Sequence, residues 1–223
     1  MRLNLKRELF SLTMLAIVIV VTLYFYLELP DRLASHYNFK GEPDRYSDKG
    51  PFVTVYLTIM VGVYLLMTFI PLIDPFWKKI QGKYNIFLLV RDCVMFFSVF
   101  FYFLILFSAK TGKLHEAAFG SGIGLLFILL GNYLPKIPRN FFFGIRSPWT
   151  LASEEVWKRS HIMGGWLFVL GGILMMIVSI AGIRMDIAFL AILVPLILFT
   201  ALIYPLWLYK KLEKEGKLGE KKI

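Results

Sequence analysis

The feature that most constrains the fold of this chain is a series of six apolar runs, separated by short polar segments. An α-helix needs roughly 20 predominantly apolar residues to cross the hydrocarbon core of a bilayer. Runs that approach or exceed this length occur at residues 9–27, 52–73, 86–108, 117–134, 162–182 and 187–208. We therefore predict an all-α integral membrane protein, built as a bundle of six transmembrane helices.

The composition agrees with this class, because 58% of the residues are hydrophobic and the mean hydropathy is +0.67. The six runs take up more than half of the chain and leave no room for an independent soluble domain. The first run follows the basic start MRLNLKRE and lacks a small-residue cleavage site, so we interpret it as a retained signal anchor. The lone cysteine, Cys93, excludes an intramolecular disulfide.

The orientation in the membrane follows from the distribution of Lys and Arg, which are enriched on the cytoplasmic side. With the N-terminus inside, 17 of these residues lie in cytoplasmic segments and 7 in outer segments. We therefore predict that both termini are cytoplasmic. We expect residues 1–85 to form a two-helix region with the outer polar segment 28–51, and residues 86–223 to form a second membrane region. Its cytoplasmic loop, residues 135–161, is called the motif loop below.

The motif loop is dense in turn formers and specific polar residues. Pro135 and Pro138 end the fourth run and keep the chain extended, because a residue before proline avoids the helical region. The aromatic stretch 141–149 is too short to span, so it should lie at the membrane interface or fold back into the bundle. Ser153, followed by Glu154 and Glu155, is typical of a helix N-cap with acidic residues in the first turn. Arg139, Asn140, Arg146 and Thr150 bring hydrogen-bonding groups that need partners at this depth.

Two charged residues, Arg91 and Asp92, lie inside the third apolar run, where an ionisable side chain is a candidate functional group. Arg91 is long enough to reach the cytoplasmic surface. Neighbouring residues of a helix point about 100° apart, so the two need not pair with each other. Our hypothesis is that Asp92 pairs with Arg139, Arg146 or His161 and ties the motif loop to the bundle. The alternative is a structural ion pair without a direct functional role.

Small residues recur at helical spacing in two of the runs, at Gly120 and Gly124 and again at Gly165, Gly172 and Ser179. Such stripes let membrane helices approach closely. We interpret them as core packing, with a dimer interface as the alternative. Pro195 and Pro205 in the sixth run favour kinks, which transporters use and ordinary bundles also tolerate.

The outer segment 28–51 is short and polar, with a turn predicted at KGEPD. We interpret it as an ordered cap whose His36, Asn38 and Gly41 are candidate contacts for an external ligand. Its acidic residues and His36 do not follow the ligand spacing of a known metal site. We therefore expect neither a metal ion nor another cofactor.

The stretches GNYLPK, RNFFFGIRSPWTL and EEVWKRSH resemble the hallmark of the SdpI family of bacterial and archaeal membrane proteins, which runs GN, then N with GIRTPWT, then VW and TH. The segment PDRLASHYNFKGEPDRYSDKG is similar to the domain of unknown function that commonly precedes it. Ser147 and Ser160 stand where threonine is common, and both keep a hydroxyl. The resemblance implies functional roles for the motif residues Asn132, Arg139, Asn140, Gly144, Arg146, Pro148, Trp149, Thr150, Glu155, Trp157 and His161.

This resemblance implies a multipass immunity protein of the cell membrane, which protects a cell from a secreted toxic peptide and can relay its presence to a cytoplasmic transcriptional repressor. The partners would be the lipid bilayer, the toxin and the repressor, with no direct nucleic-acid binding. A small proton- or solute-coupled transporter is the alternative, although we find no internal repeat. A membrane enzyme is disfavoured, because the histidines lie in different loops and no nucleophile has an evident base.

Overall fold

The computed structural model describes residues 5–38 and 42–218. Six helices in it are long and apolar enough to cross a membrane, which confirms the six predicted spans. Five of them are α1 (Leu5–Tyr26), α2 (Lys49–Phe69), α4 (Tyr84–Thr111), α5 (Glu116–Tyr133) and α7 (Glu154–Ile180). The sixth is continuous from Phe189 to Lys214. The short helices α3 (Trp77–Ile80), α6 (Pro148–Ala152) and α8 (Met185–Ala188) join these spans, together with single 3₁₀ turns at Ile70–Ile73, Gln81–Lys83 and Leu134–Lys136.

The outer surface of the bundle is apolar along the spans. Large side chains such as Ile59, Leu66, Trp166 and Ile180 are more than half exposed on these helices. A soluble protein would not keep so wide an apolar surface in water. These faces therefore contact lipid acyl chains, as the sequence predicts.

Helix α4 lies at the centre and packs against α1, α2 and α5. Its contact with α1 and α2 contains the largest core cluster, with Val18, Met60 and Met95 almost fully buried. Tyr102 of α4 stacks on Tyr56 of α2, and the ring centroids are 3.9 Å apart. The arrangement fixes the N-terminal pair of spans against the third.

Helices α5 and α7 share the most extensive helix contact within the described part of the chain. A Cβ atom added at Gly124 would overlap the carbonyl oxygen of Gly172, and one added at Gly131 would overlap that of Gly165. Glycine allows these backbones to touch. The small-residue stripe therefore serves packing within one chain, as expected, and these two glycine pairs are not available as a dimer interface.

The sixth span departs from a regular α-helix at two places. Wide π-type turns at Phe189–Leu193 and Phe199–Ile203 separate α9 (Val194–Leu198) and α10 (Tyr204–Lys214) from the preceding turns. Pro195 and Pro205 each follow one of these turns by two residues. Proline lacks an N–H group and its ring crowds the preceding turn, so the hydrogen-bond ladder loosens there.

The outer polar segment contains a β-hairpin that the sequence analysis did not predict. Strand β1 (Arg32–Tyr37) pairs antiparallel with β2 (Pro43–Asp48), and the register is irregular around His36. The described part of the segment is thus a cap built from two strands, and residues 40 and 41 of the predicted turn lie outside the described residues. Leu33 anchors it, because this side chain is only 1% exposed and joins the core cluster of α1, α2 and α4.

Candidate functional site

The motif loop folds around the side chain of Asn140, which is fully buried. Its Oδ1 accepts hydrogen bonds from the backbone N–H groups of Phe142, at 2.8 Å, and Phe143, at 2.6 Å. Its Nδ2 donates to the carbonyl oxygens of Pro138 and Phe143, both at 2.9 Å. The amide thus uses its donors and its acceptor to satisfy backbone groups that would be costly to leave unpaired. Asn140 holds the aromatic stretch in one conformation.

A short helix, α6, follows this turn and was not predicted. Ser147 is its N-cap, and Ser147 and Thr150 form a reciprocal capping box. The Ser147 N–H donates to Thr150 Oγ1 at 2.8 Å, and the Thr150 hydroxyl contacts the carbonyl oxygen of Ile145 at 3.0 Å. The sequence offers the usual signal, Ser-Pro-Trp-Thr, because proline is favoured at the first helical position. Ser153 then caps α7 by accepting from the N–H of Val156, as predicted.

His161 locks the motif loop onto α7. Its Nε2 accepts a hydrogen bond from the N–H of Ile145 at 3.1 Å, so Nδ1 carries the proton and donates to the carbonyl oxygen of Trp157 at 2.8 Å. The imidazole also stacks on the Trp157 ring at 4.1 Å, and Trp157 Nε1 donates to the Ile137 carbonyl oxygen at 3.0 Å. Both ring nitrogens of His161 are therefore engaged by backbone groups.

Gly144 makes the close approach of the loop to His161 possible. Its φ is +99°, a conformation that favours glycine. A Cβ atom at this position would overlap His161 Nε2. Position 144 therefore requires glycine for two reasons: its φ angle is positive, and a larger side chain would overlap His161.

Asp74, a residue that the sequence analysis did not single out, ties the motif loop to the N-terminal half. It lies between α2 and α3 and is 4% exposed. Its Oδ2 accepts from the N–H of Phe141 at 2.7 Å, and its Oδ1 accepts from the N–H of Phe76 at 2.7 Å. A single acidic residue after a predicted span follows no recognisable motif, so this role was not predictable from the sequence.

Of the two arginines of the motif loop, Arg139 is mostly buried and Arg146 is exposed. Arg139 Nη1 donates to the carbonyl oxygen of Leu151 at 3.4 Å, its Nε lies 3.4 Å from a carboxylate oxygen of Glu154, and its guanidinium stacks over the Phe76 ring. Arg146 is exposed and donates to the carbonyl oxygen of Phe141. Both arginines therefore brace the backbone of the loop.

The structure does not bring the remaining motif residues into this network. Asn132 is exposed on α5 and donates to the carbonyl oxygen of Ile128, one turn earlier. Pro148 is exposed at the start of α6, and Trp149 packs against the buried cluster of Val156, Leu208 and Leu212. Glu155 pairs with Arg159 at 2.6 Å on the surface of α7.

Arg91 does not reach the cytoplasmic surface, and this prediction is wrong. Its side chain is fully buried, and Nη1 donates to Glu8 at 2.6 Å and to the Thr68 hydroxyl at 2.9 Å. The guanidinium also lies over the Tyr64 ring at 5.3 Å. Glu8 is buried as well, so α1 supplies an opposite charge at the same depth. Because the charge of Arg91 is compensated by acidic groups inside the bundle, the side chain does not need to reach water.

The predicted partner of Asp92 is also wrong. Asp92 Oδ1 accepts from Arg91 Nη2 at 2.9 Å and from the Ser11 hydroxyl at 2.6 Å, rather than from the motif loop. Although adjacent residues leave the helix in different directions, the arginine side chain is long enough to fold back over its neighbour. We use the name buried charge cluster for five residues: Glu8, Ser11, Thr68, Arg91 and Asp92. Their hydrogen bonds and ion pairs join α1, α2 and α4.

In the outer hairpin, His36 Nδ1 lies 2.6 Å from Asp44 Oδ1, which links the two strands. Asn38 donates to a carboxylate oxygen of Glu42 at 3.1 Å and accepts from the Glu42 N–H at 3.0 Å. Gly41, the third candidate in this segment, lies outside the described residues. Burial, followed by the neighbouring Tyr46, raises the pKa of Tyr37 above its ordinary value. Within residues 5–38 and 42–218, three or more His, Cys, Asp or Glu side chains nowhere come together as a metal-binding group.

An apolar cavity of about 300 Å³ lies beneath the motif loop. Phe143, Gly144 and Ile145 of the motif loop form one wall of this cavity. The spans contribute Met67 of α2, Val90 of α4 and Leu130 of α5 to its lining. The motif loop thus lines one side of an open cleft between the N-terminal and C-terminal spans, and a movement of the loop would change the shape of this cleft.

Comparisons with known proteins agree with the motifs on which the resemblance rests. The profile of the SdpI/YfhL protein family matches residues 136–207, and that of DUF1648, a domain of unknown function, matches residues 13–62. The chain is also 22% identical over 207 residues to Immunity protein SdpI of Bacillus subtilis (strain 168), covering 93% of this chain and 98% of that protein. No solved structure matches it. The protein is therefore a multipass membrane protein whose residues 136–207 match the SdpI/YfhL family and whose residues 13–62 match DUF1648.

Proposed function

We propose that this protein is an immunity protein that protects its cell from a secreted toxic peptide. The observation that carries the proposal is the similarity to Immunity protein SdpI over 93% of the chain and 98% of that protein. The aligned region is long enough to include most of the spans together with the outer hairpin and the motif loop. The similarity is therefore not confined to one helix or one motif.

The geometry supports a binding role rather than catalysis. His161, the buried histidine of the motif loop, has both ring nitrogens bonded to backbone groups and has no free position for a general base. Asn140, Ser147 and Thr150 likewise use their polar atoms to satisfy the backbone of the loop. A loop built in this way offers a defined shape and surface, which is what recognition of a partner requires.

The direct test is protection of a sensitive cell. A toxin-sensitive host would express the wild-type chain or carry an empty vector, and both would be challenged with a panel of secreted antimicrobial peptides. We expect the chain to raise the inhibitory concentration of at least one peptide. Equal sensitivity to every peptide of a broad panel would contradict the proposal.

We further propose that the motif loop relays the presence of the toxin to a cytoplasmic repressor protein. Arg146, Lys158 and Arg159 are exposed on the loop and the start of α7, so this surface presents positive charge to a soluble partner. Relay requires that the toxin binds two conformations of the protein with different affinity. Peptide-dependent movement of a fluorescent cognate repressor to the membrane would support the relay, and a repressor that stays in solution would contradict it.

Transport is a second candidate function, and the buried charge cluster is the observation that favours it. Ionisable groups inside a membrane often mark an ion or proton path. In this protein Arg91 bonds to both Glu8 and Asp92, which also fits a structural lock between α1 and α4. Proton flux in proteoliposomes, lost in an Asp92→Asn variant of equal abundance, would support transport.

A further inference from the structure

A pocket of about 360 Å³ lies between the outer hairpin and the end of α4, on the side of the membrane that we predict to face outward. The hairpin contributes Ala34, Tyr37, Pro43 and Tyr46 to its lining, and the end of α4 contributes Ser108. Ala34 pairs with Tyr46, and Tyr37 with Pro43, so both strands of the hairpin contribute to the lining. The pocket is therefore walled on one side by a sheet and on the other by a helix end.

The Ser108 hydroxyl distinguishes this pocket from an ordinary surface depression. Ser108 is 3% exposed, and its Oγ has no hydrogen-bond partner among the residues that the structure describes. Buried hydroxyl groups are normally paired, because an unpaired one loses its hydration without compensation. A hydroxyl both donates and accepts, so its natural partner is a group that offers an N–H or a carbonyl oxygen.

The remaining lining favours an apolar side chain over a charged ligand. The aromatic rings of Tyr37 and Tyr46 and the ring of Pro43 provide an apolar surface. Two of the charged residues at the rim have partners of their own, because Arg32 lies 3.8 Å from Asp48 and Glu42 bonds to Asn38. Lys113 is then a single cation at the rim without an ion pair among the described residues. A phosphate or another strong anion would need a cluster of free cations, whereas a peptide needs an apolar pocket with a hydrogen-bonding group.

We infer that this pocket binds a peptide from outside the cell, with one apolar side chain inserted between the hairpin and α4. The Ser108 hydroxyl, whose Oγ is buried beneath the lining, turns to bond to a peptide group beside that side chain. The identification of this peptide with the toxin rests on the proposed immunity function. Peptide binding at the pocket does not depend on it and is tested separately.

The first test blocks the pocket. Ala34→Trp would fill it, whereas Ser35→Trp adds the same side chain at the next residue, which is exposed and is not part of the lining. The probes are synthetic hexapeptides with acetylated and amidated ends, carrying Trp, Phe, Leu or Asp at a central position. Binding would be measured to the full-length protein in lipid nanodiscs. We expect saturable binding of an apolar-centred peptide to wild type and to Ser35→Trp, and its loss in Ala34→Trp.

The second test removes only the hydroxyl. Ser108→Ala should weaken binding by about three- to tenfold, the value of one neutral hydrogen bond. The control Ser47→Ala removes an exposed hydroxyl of β2 that bonds only weakly to the neighbouring Asp48 carbonyl oxygen. Because Ser108→Ala leaves the lining otherwise intact, it tests the proposal even if Ala34→Trp fails to fold.

The results of these experiments show separately whether the pocket binds a peptide and whether the protein confers immunity. The pocket assignment is overturned if none of the hexapeptides binds saturably to wild type, or if Ala34→Trp and Ser108→Ala both bind as wild type does. Binding at the pocket without protection in the sensitive host would reject the immunity function and keep the pocket. Protection that persists in Ala34→Trp would keep the immunity function and reject the pocket as its toxin site.

Discussion

The backbone N–H of Phe141 donates to Asp74 Oδ2 over 2.7 Å, which joins the turn after α2 to the motif loop. Asp74 lies in neither of the segments that the two family profiles match, whereas Phe141 lies in the SdpI/YfhL segment. The carboxylate also accepts from Phe76, so one buried side chain sets the conformation of both connections. Asp74 therefore couples the N-terminal spans to the loop that lines the apolar cleft.

Replacing Asp74 with alanine should destabilise the folded protein, because two buried N–H groups lose their acceptor. The expected cost is about 1–3 kcal/mol for each donor left unpaired. Asp74→Asn keeps one carbonyl oxygen and should be milder. Thermal unfolding in nanodiscs would measure both variants, with the exposed Asp31→Ala as control. A melting temperature of Asp74→Ala equal to that of the control would contradict the role of Asp74.

Gly144→Ala should disrupt the attachment of the loop to His161. Alanine at φ +99° costs about 1–2 kcal/mol, and the overlap with His161 adds about 1–3 kcal/mol. Gly112→Ala is a matched control, because its φ is +69° but open space surrounds the added Cβ. Unfolding in nanodiscs should show a larger loss for Gly144→Ala. Equal losses in the two variants would show that the contact with His161 is unimportant.

Arg91→Met should strongly destabilise the bundle, by about 3–5 kcal/mol, because Glu8 loses its ion-pair partner in a buried site. The double variant Glu8→Gln with Arg91→Met should recover part of this loss. Arg184→Met, which affects an exposed pair with Asp186, serves as control. Resistance to unfolding in a detergent titration is the measurement. No recovery in the double variant would show that Arg91 acts through contacts other than its ion pair with Glu8.

Gly172→Ala should separate α5 from α7, because the added Cβ would overlap the Gly124 carbonyl oxygen. Overpacking of this kind costs about 1–3 kcal/mol. Gly62→Ala adds the same methyl group to α2, where no atom lies within 4 Å of it, and should be neutral or slightly stabilising. The melting temperatures of the two variants in nanodiscs should therefore differ. Indistinguishable values would contradict the tight packing.

The six spans were predictable because a transmembrane helix is specified by local composition and length alone. Ser153 was predictable as a cap for the same reason, since capping depends on a few adjacent residues. The partners of Arg91 and Asp92 were not, because they depend on which helices meet at that depth. Glu8 is only an acidic residue of the first turn until the fold places it 2.6 Å from Arg91.

The outer hairpin was missed because its pattern is weak. Strand β2 has the sequence PDRYSD, which lacks the alternation of apolar and polar residues that indicates a half-buried strand. Its pairing is supported instead by cross-strand contacts such as His36 with Asp44, which only the folded chain reveals. The role of Asp74 was not predicted for a similar reason, since its partner Phe141 is 67 residues away in the sequence.

The measurement that tests the account most directly compares Arg146→Ala with Arg159→Ala in a toxin-sensitive host, at equal abundance in the membrane. Arg146 braces the motif loop through the Phe141 carbonyl oxygen, whereas Arg159 forms a surface pair with Glu155 on α7. We expect wild type and Arg159→Ala to protect against the same secreted peptide and Arg146→Ala to lose most of that protection. Full protection by Arg146→Ala would contradict a functional motif loop, and no protection by wild type would contradict the immunity function itself.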